Sequence, residues 1–198
     1  MKILLVLTPH YQVGEIGRTT SFWLNEFATS YYIFKDEGAD ITIVWSADSS
    51  PTLGPISDAP ELQTDAICRF KLDASAQQVL AQAGGLASVS TSNFDAVSYL
   101  SAHPQMLNQV DEAVSTKLIE FKANGGKTAN ADCHWTGLVR LAKVADVSPL
   151  LERKRIFVFT NSVKASVNFS DIVPFLVDNI PAKNGGVYSK GAGWQPYA

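Results

Sequence analysis

The uninterrupted apolar run Ile3-Leu4-Leu5-Val6-Leu7 is the feature that most narrows how this chain can fold. Successive residues of a strand point to opposite faces, so a run with no polar residue leaves neither face fit for water. Both faces must be covered, which is the situation of strands in parallel sheets with helices on either side. The run is too short for a secretory leader and lacks a small-residue cleavage site, so it reads as a first strand. No stretch of the sequence is long enough to span a bilayer, and no membrane partner is expected.

The rest of the chain alternates in the way such a strand demands. Thr8 to Thr20 is polar and reads as a loop. Phe22, Trp23, Phe27, Tyr31 and Phe34 then recur at helical spacing, and Gly38 supplies a left-handed stop. Asp40 to Trp45 forms a second strand, closing a βαβ unit whose crossover should be right-handed. Ser46 to Asp65, dense in Ser, Pro, Asp and Gly, reads as an ordered excursion over the surface. Asp73 to Gly84 reads as a short helix, capped by Asp73 and ended by Gly84 and Gly85. Phe94 to Leu100 is a third core strand, followed by the turn Ser101-Ala102-His103-Pro104. Val110 to Phe121 has helical spacing, Arg155 to Thr160 reads as a buried strand, and Ile172 to Ile180 as a helix. The Gly- and aromatic-rich tail, Gly185 to Ala198, suits irregular or edge structure.

Strands alternating with helices, with no break in composition over 198 residues, predict one α/β domain over residues 1–198. Its architecture should be flavodoxin-like and doubly wound, a mostly parallel sheet with helices on both faces. Ligands of such sheets bind outside the carboxyl ends of the strands. Apolar residues at 46% and charged ones at 18% mark a globular chain. A formal charge of −3 with no basic block excludes a polyanion, so no nucleic-acid partner is expected. Two cysteines and three histidines make neither a disulfide framework nor a zinc-ligand pattern, so no metal is expected, and a reducing, cytoplasmic compartment is.

Gly125 to Leu141 concentrates the chemistry. Thr128 to Asp132, all small, suit a buried strand, and Cys133 and His134 stand where a helical pattern takes over. A nucleophile elbow is therefore expected: the free N–H groups of a helix start favour a thiolate and lower the sulfur's pKa. The same residues also allow Cys133 to be a small buried core residue. Glu26 lies near the apolar seam of its helix, beside Phe22, Trp23, Phe27 and Ser30, where a carboxylate needs a partner or a raised pKa; the alternative is a solvated helix glutamate. His103 and His134 both follow strand ends, and Trp135 would line any pocket at Cys133, although each of these types also serves plain structure. Trp23, Tyr31 and Tyr32 read as core or interface, and Cys68, placed in the surface excursion, as non-functional.

Several phrases, taken in order, resemble the ThiJ/PfpI superfamily of class I glutamine amidotransferase-like proteins. They are Phe22-Trp23-Leu24-Asn25-Glu26-Phe27, the Pro/Ser-rich excursion, Arg69-Phe70-Lys71-Leu72-Asp73, Asn93-Phe94-Asp95-Ala96-Val97, Gly125-Gly126-Lys127 and Asp132-Cys133-His134. The excursion makes the chain resemble most the branch of heat-shock chaperones that are also glutathione-independent glyoxalases. The resemblance implies that Glu26 hydrogen-bonds Cys133, the nucleophile, and that His134 handles protons. It also implies that the turn at Ala102 and His103 lines the substrate and faces the developing oxyanion. No cofactor is then needed, and the substrate is a small reactive carbonyl compound such as methylglyoxal. A homodimer is expected.

The chain departs from that pattern at several places. Ser101-Ala102-His103-Pro104 replaces Gly-Gly-His-Gly, Cys133-His134-Trp135 replaces Cys-His-Gly, and Asp132 stands where the family has an apolar residue. The acid that orients the histidine in the glyoxalase branch would fall near Val163 or Lys164 and is absent, which shifts the expected proton transfer toward Glu26. Two alternatives follow: a tailoring enzyme that uses Glu26 and Cys133 on a larger metabolite, and a non-catalytic binding or stress-response module.

Overall fold

The computed structural model describes residues 1–7, 11–13, 18–20, 22–46, 53, 55–100, 114, 116–122, 128–131, 148–156 and 185–189. Its centre is β1 (Lys2–Leu7), flanked by β4 (Asp40–Trp45) and β6 (Ala96–Leu100). With β5 (Gly84–Gly85) beyond β4 and β7 (Thr128–Ala131) beyond β6, the strands form a parallel sheet in the order β5-β4-β1-β6-β7. Leaving aside the two-residue β5, that is the flavodoxin-like order expected from the sequence.

The apolar run of β1 divides by parity, as its pleat requires. Ile3, Leu5 and Leu7 go to one buried cluster with Phe27, Ala28 and Tyr31 of helix α1 (Leu24–Asp36), and with Ile67 and Leu80. Leu4 and Val6 go to the other, with Val97, Tyr99, Val114, Leu118 and Phe121. The last three recur at helical spacing on a helical stretch that includes residues 116–122. Both faces of β1 are thus covered, and five of its six residues are buried.

Helix α1 forms because Leu24, Phe27, Ala28, Tyr31 and Tyr32 fall on one face and are buried there. It stops at Gly38, whose φ of +74° is the left-handed conformation expected of that glycine, and the Ala39 N–H returns to the Phe34 carbonyl at 3.0 Å.

Four sequence expectations need correction. The segment read as a loop contains an antiparallel ribbon, β2 (Tyr11–Val13) against β3 (Arg18–Thr20), with Tyr11 opposite Thr20 and Val13 opposite Arg18. Strands of three residues carry too short an alternation to stand out. The excursion ends in a helix not foreseen, α2 (Asp65–Leu72), started by Thr64, whose hydroxyl accepts from the Ile67 N–H. Cys68 therefore lies on a helix, exposed, and not in a loop. Gly84 and Gly85 do not merely end α3 (Ala74–Ala81); their backbones pair with Val44 and Trp45 as β5. Finally, Thr128 and Ala129 of β7 are exposed, and so is Arg155 of β8 (Arg155–Ile156), so neither strand is buried throughout. β8 pairs with β9 (Val187–Tyr188) in a separate parallel ribbon, so the tail read as irregular or edge structure contains a short strand. The helix expected at 172–180 lies outside the described residues.

Helices α2 and α3 are fastened to the outer side of α1. Arg69 donates to both oxygens of Asp36 at 2.6 and 2.7 Å and stacks 3.9 Å over the Tyr32 ring. Tyr32 donates its hydroxyl to Asp73 at 3.1 Å, and Lys35 donates to the Tyr31 hydroxyl at 3.2 Å while lying 3.5 Å from Asp73. Asp73 caps α3 as its sequence position suggested, accepting from the Ala76 N–H at 3.0 Å. No helix among the described residues is long and apolar enough to cross a membrane.

Candidate active site at the carboxyl edge of the sheet

The βαβ crossover sets the geometry of the site. A helix linking two parallel neighbours runs back against them, so its first turn stands at the edge where the strands end. The contacts bear this out. Leu7, the last residue of β1, pairs with Trp45, the last of β4, and with Leu100, the last of β6. Phe22, two residues ahead of α1, lies with its ring 5.7 Å from Trp45 and 5.8 Å from Phe27. At the other edge the Asp40 N–H bonds the Met1 carbonyl at 2.9 Å.

Glu26 is the third residue of α1 and so belongs to this carboxyl edge. Phe22, Leu24 and Phe27 around it are buried, Glu26 is half-buried, and its Oε2 is shielded from solvent. The sequence placed it at an apolar seam, and the structure shows it there rather than on the solvated face. Its position in the first turn also puts its carboxyl group beside the positive end of the helix.

The turn that carries Glu26 is held by a contact the sequence reading missed. Asn25 Oδ1 accepts from the Thr64 hydroxyl at 2.7 Å and from the Thr29 hydroxyl at 3.1 Å. Thr64 in turn caps α2, so the start of one helix is tied to the start of the other. The signal available in the sequence was Thr64-Asp65, a helix-start pair at the end of the excursion.

Trp23, which precedes α1, is exposed, whereas Tyr31 and Tyr32 are buried core residues, as expected. Burial pushes the Tyr99 phenol, next to last in β6, up from its ordinary range, so it stays neutral at physiological pH. Ala102 and His103 follow β6 in the sequence, and Cys133, His134 and Trp135 follow β7; all five lie outside the described residues. Of the six site residues expected from the sequence, the structure therefore describes Glu26 alone. Among the described residues no group of three or more His, Cys, Asp or Glu could hold a metal ion.

A doubly wound parallel sheet with a half-buried carboxyl group at its carboxyl edge defines an α/β protein of flavodoxin-like class. Comparison with solved structures narrows that class. The chain is similar to rapid encystment protein 24 kDa of Francisella tularensis, at 23% identity over 99% of this chain and 86% of that one, with a TM-score of 0.87. It is similar to glyoxalase III of Candida albicans, at 18% identity over 98% of this chain and 84% of that one, with a TM-score of 0.84. A two-domain Anabaena variabilis protein containing DJ-1/ThiJ/PfpI-like and ferritin-like domains aligns at 14% identity over 97% of this chain and 42% of that one, with a TM-score of 0.54. The chain shares its fold with these structures, one of which is described as containing a DJ-1/ThiJ/PfpI-like domain, the superfamily that the sequence motifs resemble. No protein-family model matches the sequence, and no curated protein matches it.

Proposed function

We propose that the protein is a cysteine-dependent, cofactor-free lyase of glyoxalase type, acting on a small reactive carbonyl compound such as methylglyoxal. The observation that supports it most is Glu26, a half-buried acid with one oxygen shielded from water, at the edge of the sheet where β7 gives way to Asp132-Cys133-His134 in the sequence. Two peptide units beyond Ala131 span at most about 7 Å, which keeps the sulfur within reach of that edge. The likeness in fold to glyoxalase III of Candida albicans agrees with the reading.

The chemistry balances without a cofactor. The Cys133 thiolate attacks the aldehyde carbon, a C–S bond forms, and the carbonyl oxygen takes up a proton to give a hemithioacetal. Glu26 removes the proton from that carbon and returns it to the neighbouring one, while the hemithioacetal hydroxyl proton passes to the ketone oxygen, so the first carbon is oxidised to a thioester and the ketone is reduced to an alcohol. Water cleaves the C–S bond, releasing the 2-hydroxy acid and the thiol. Backbone N–H groups at Ala102 and His103 stabilise the oxyanion, Trp135 limits the size of the substrate, and His134 assists proton movement. The reading takes the protein as a cytoplasmic homodimer with no nucleic-acid or membrane partner.

Turnover of methylglyoxal to lactate by the native protein and by Cys133→Ala tests it. The expected result is turnover that Cys133→Ala abolishes. Absence of turnover in the native protein, or turnover indifferent to the substitution, overturns the reading.

A further inference from the structure

We propose that the indole N–H of Trp45 is a hydrogen-bond donor of the carboxyl-edge site, taking an oxygen of the bound carbonyl substrate or of its 2-hydroxy acid product. This rests on the function proposed above and adds a binding residue to it. Trp45 ends β4 at the level where β1 ends, since it pairs with Leu7. Its side chain is on the α1 side of the sheet, in the cluster that holds Phe22, Leu24 and Phe27, and it is 2% exposed. The indole thus packs among the residues that frame the turn carrying Glu26.

Among the described residues nothing accepts a hydrogen bond from Trp45 Nε1. An indole nitrogen can only donate, and its direction is fixed by the ring, so it cannot turn toward another partner as a hydroxyl can. Buried donors in folded proteins are nearly all paired, and one left open needs a reason. A phenylalanine could also set a ring against Phe22 and would carry no open donor, so the aromatic contact by itself does not call for the indole nitrogen. Two buried hydroxyls, Ser46 and Thr91, also lack partners among the described residues, but neither belongs with this group. Ser46 is the next residue along and by strand alternation points to the other face, while Thr91 precedes β6 and lies toward the opposite edge.

A donor without acceptor capacity selects a ligand oxygen: a carbonyl, or the carboxylate or hydroxyl of a 2-hydroxy acid. The test is a titration of the full chain, labelled with 15N-tryptophan, with lactate as the probe. The Trp45 Nε1–H resonance is assigned by its loss in Trp45→Phe, or by elimination from Trp23→Phe, Trp135→Phe and Trp194→Phe if that variant does not fold. The resonance is expected to move saturably with lactate, and Trp45→Phe should raise the KM for methylglyoxal about tenfold, the worth of one good hydrogen bond. If lactate shifts other resonances and leaves that of Trp45 in place, with KM unchanged in Trp45→Phe, the donor role is overturned and the proposed function stands. If lactate moves nothing and methylglyoxal is not turned over, both are overturned.

Discussion

The two ends of helix α1 treat polar groups in opposite ways. In its last turns Tyr31, Tyr32, Lys35 and Asp36 each have a partner, drawn from α1 itself or from Arg69 and Asp73. Beside its first turn, where the half-buried Glu26 stands, Trp45 packs against Phe22 and offers a donor that no described residue accepts. Closed networks of the first kind contribute stability, on the order of 1 kcal/mol for each net hydrogen bond. A buried indole donor left open costs stability and is tolerated where something else is gained, which is what the proposed ligand contact would supply. One helix thus holds a docked pair of helices at one end and carries Glu26, the base of the proposed reaction, at the other.

Substitutions at the two ends should therefore act on different observables. The largest effect is expected from Glu26→Gln, which keeps the shape and removes the base: kcat for methylglyoxal should fall by about 100-fold or more with the melting temperature nearly unchanged. A variant that instead unfolds early, with kcat per folded molecule intact, would show both ends to be structural. Tyr32→Phe is the mirror experiment. It deletes the hydrogen bond to Asp73, and urea denaturation should show a loss of about 1 kcal/mol, with kcat within about twofold of the native value. Thr64→Val lies between the two, because it removes both the cap of α2 and the bond to Asn25 beside Glu26. It should cost about 1 kcal/mol in stability and also lower kcat slightly, and an effect on stability alone would detach the Asn25 contact from the site.

How much of this was legible in the sequence depended on whether side chains or backbone carried the information. β1, α1 and β4 declare themselves by apolar runs and a helical period, and Gly38 by the conformation that only glycine adopts cheaply. The pairing of β5 could not be read, because Gly84 and Gly85 have no side chains to form a pattern and take part through backbone alone. Helix α2 was hidden because only Ile67 and Phe70 of its apolar residues are buried, while Leu72 is 88% exposed, so no clean stripe exists. At the carboxyl edge, the half-buried place of Glu26 could be read because an acid among Phe22, Trp23 and Phe27 is conspicuous. The open donor of Trp45 could not be read, since a tryptophan ending a buried strand looks like core until its nitrogen is seen to have no acceptor among the described residues.

The smallest expected effect is a change in how stability depends on pH, and it isolates the closed end of α1. The Ser75 hydroxyl at 2.6 Å, the Ala76 N–H at 3.0 Å and the Tyr32 hydroxyl hold the Asp73 carboxyl well below the ordinary carboxylate range. A carboxyl group depressed on folding adds stability that is complete above its unfolded pKa, about 4, and is lost as pH falls through the folded value. The urea midpoint should accordingly decline below about pH 4, and Asp73→Asn, which keeps an oxygen for the Ala76 N–H, should flatten that decline. Tyr32 supplies the alkaline counterpart. Burial, reinforced by the hydrogen bond to Asp73, pushes its phenol up to about 12, so its contribution is present below the ordinary tyrosine pKa and is lost as pH rises from there toward 12. Tyr32→Phe should remove that loss. Neither substitution should alter the pH profile of kcat near neutrality, since both act at the end of the helix away from Glu26; a profile that moved would show that the two ends are coupled through α1.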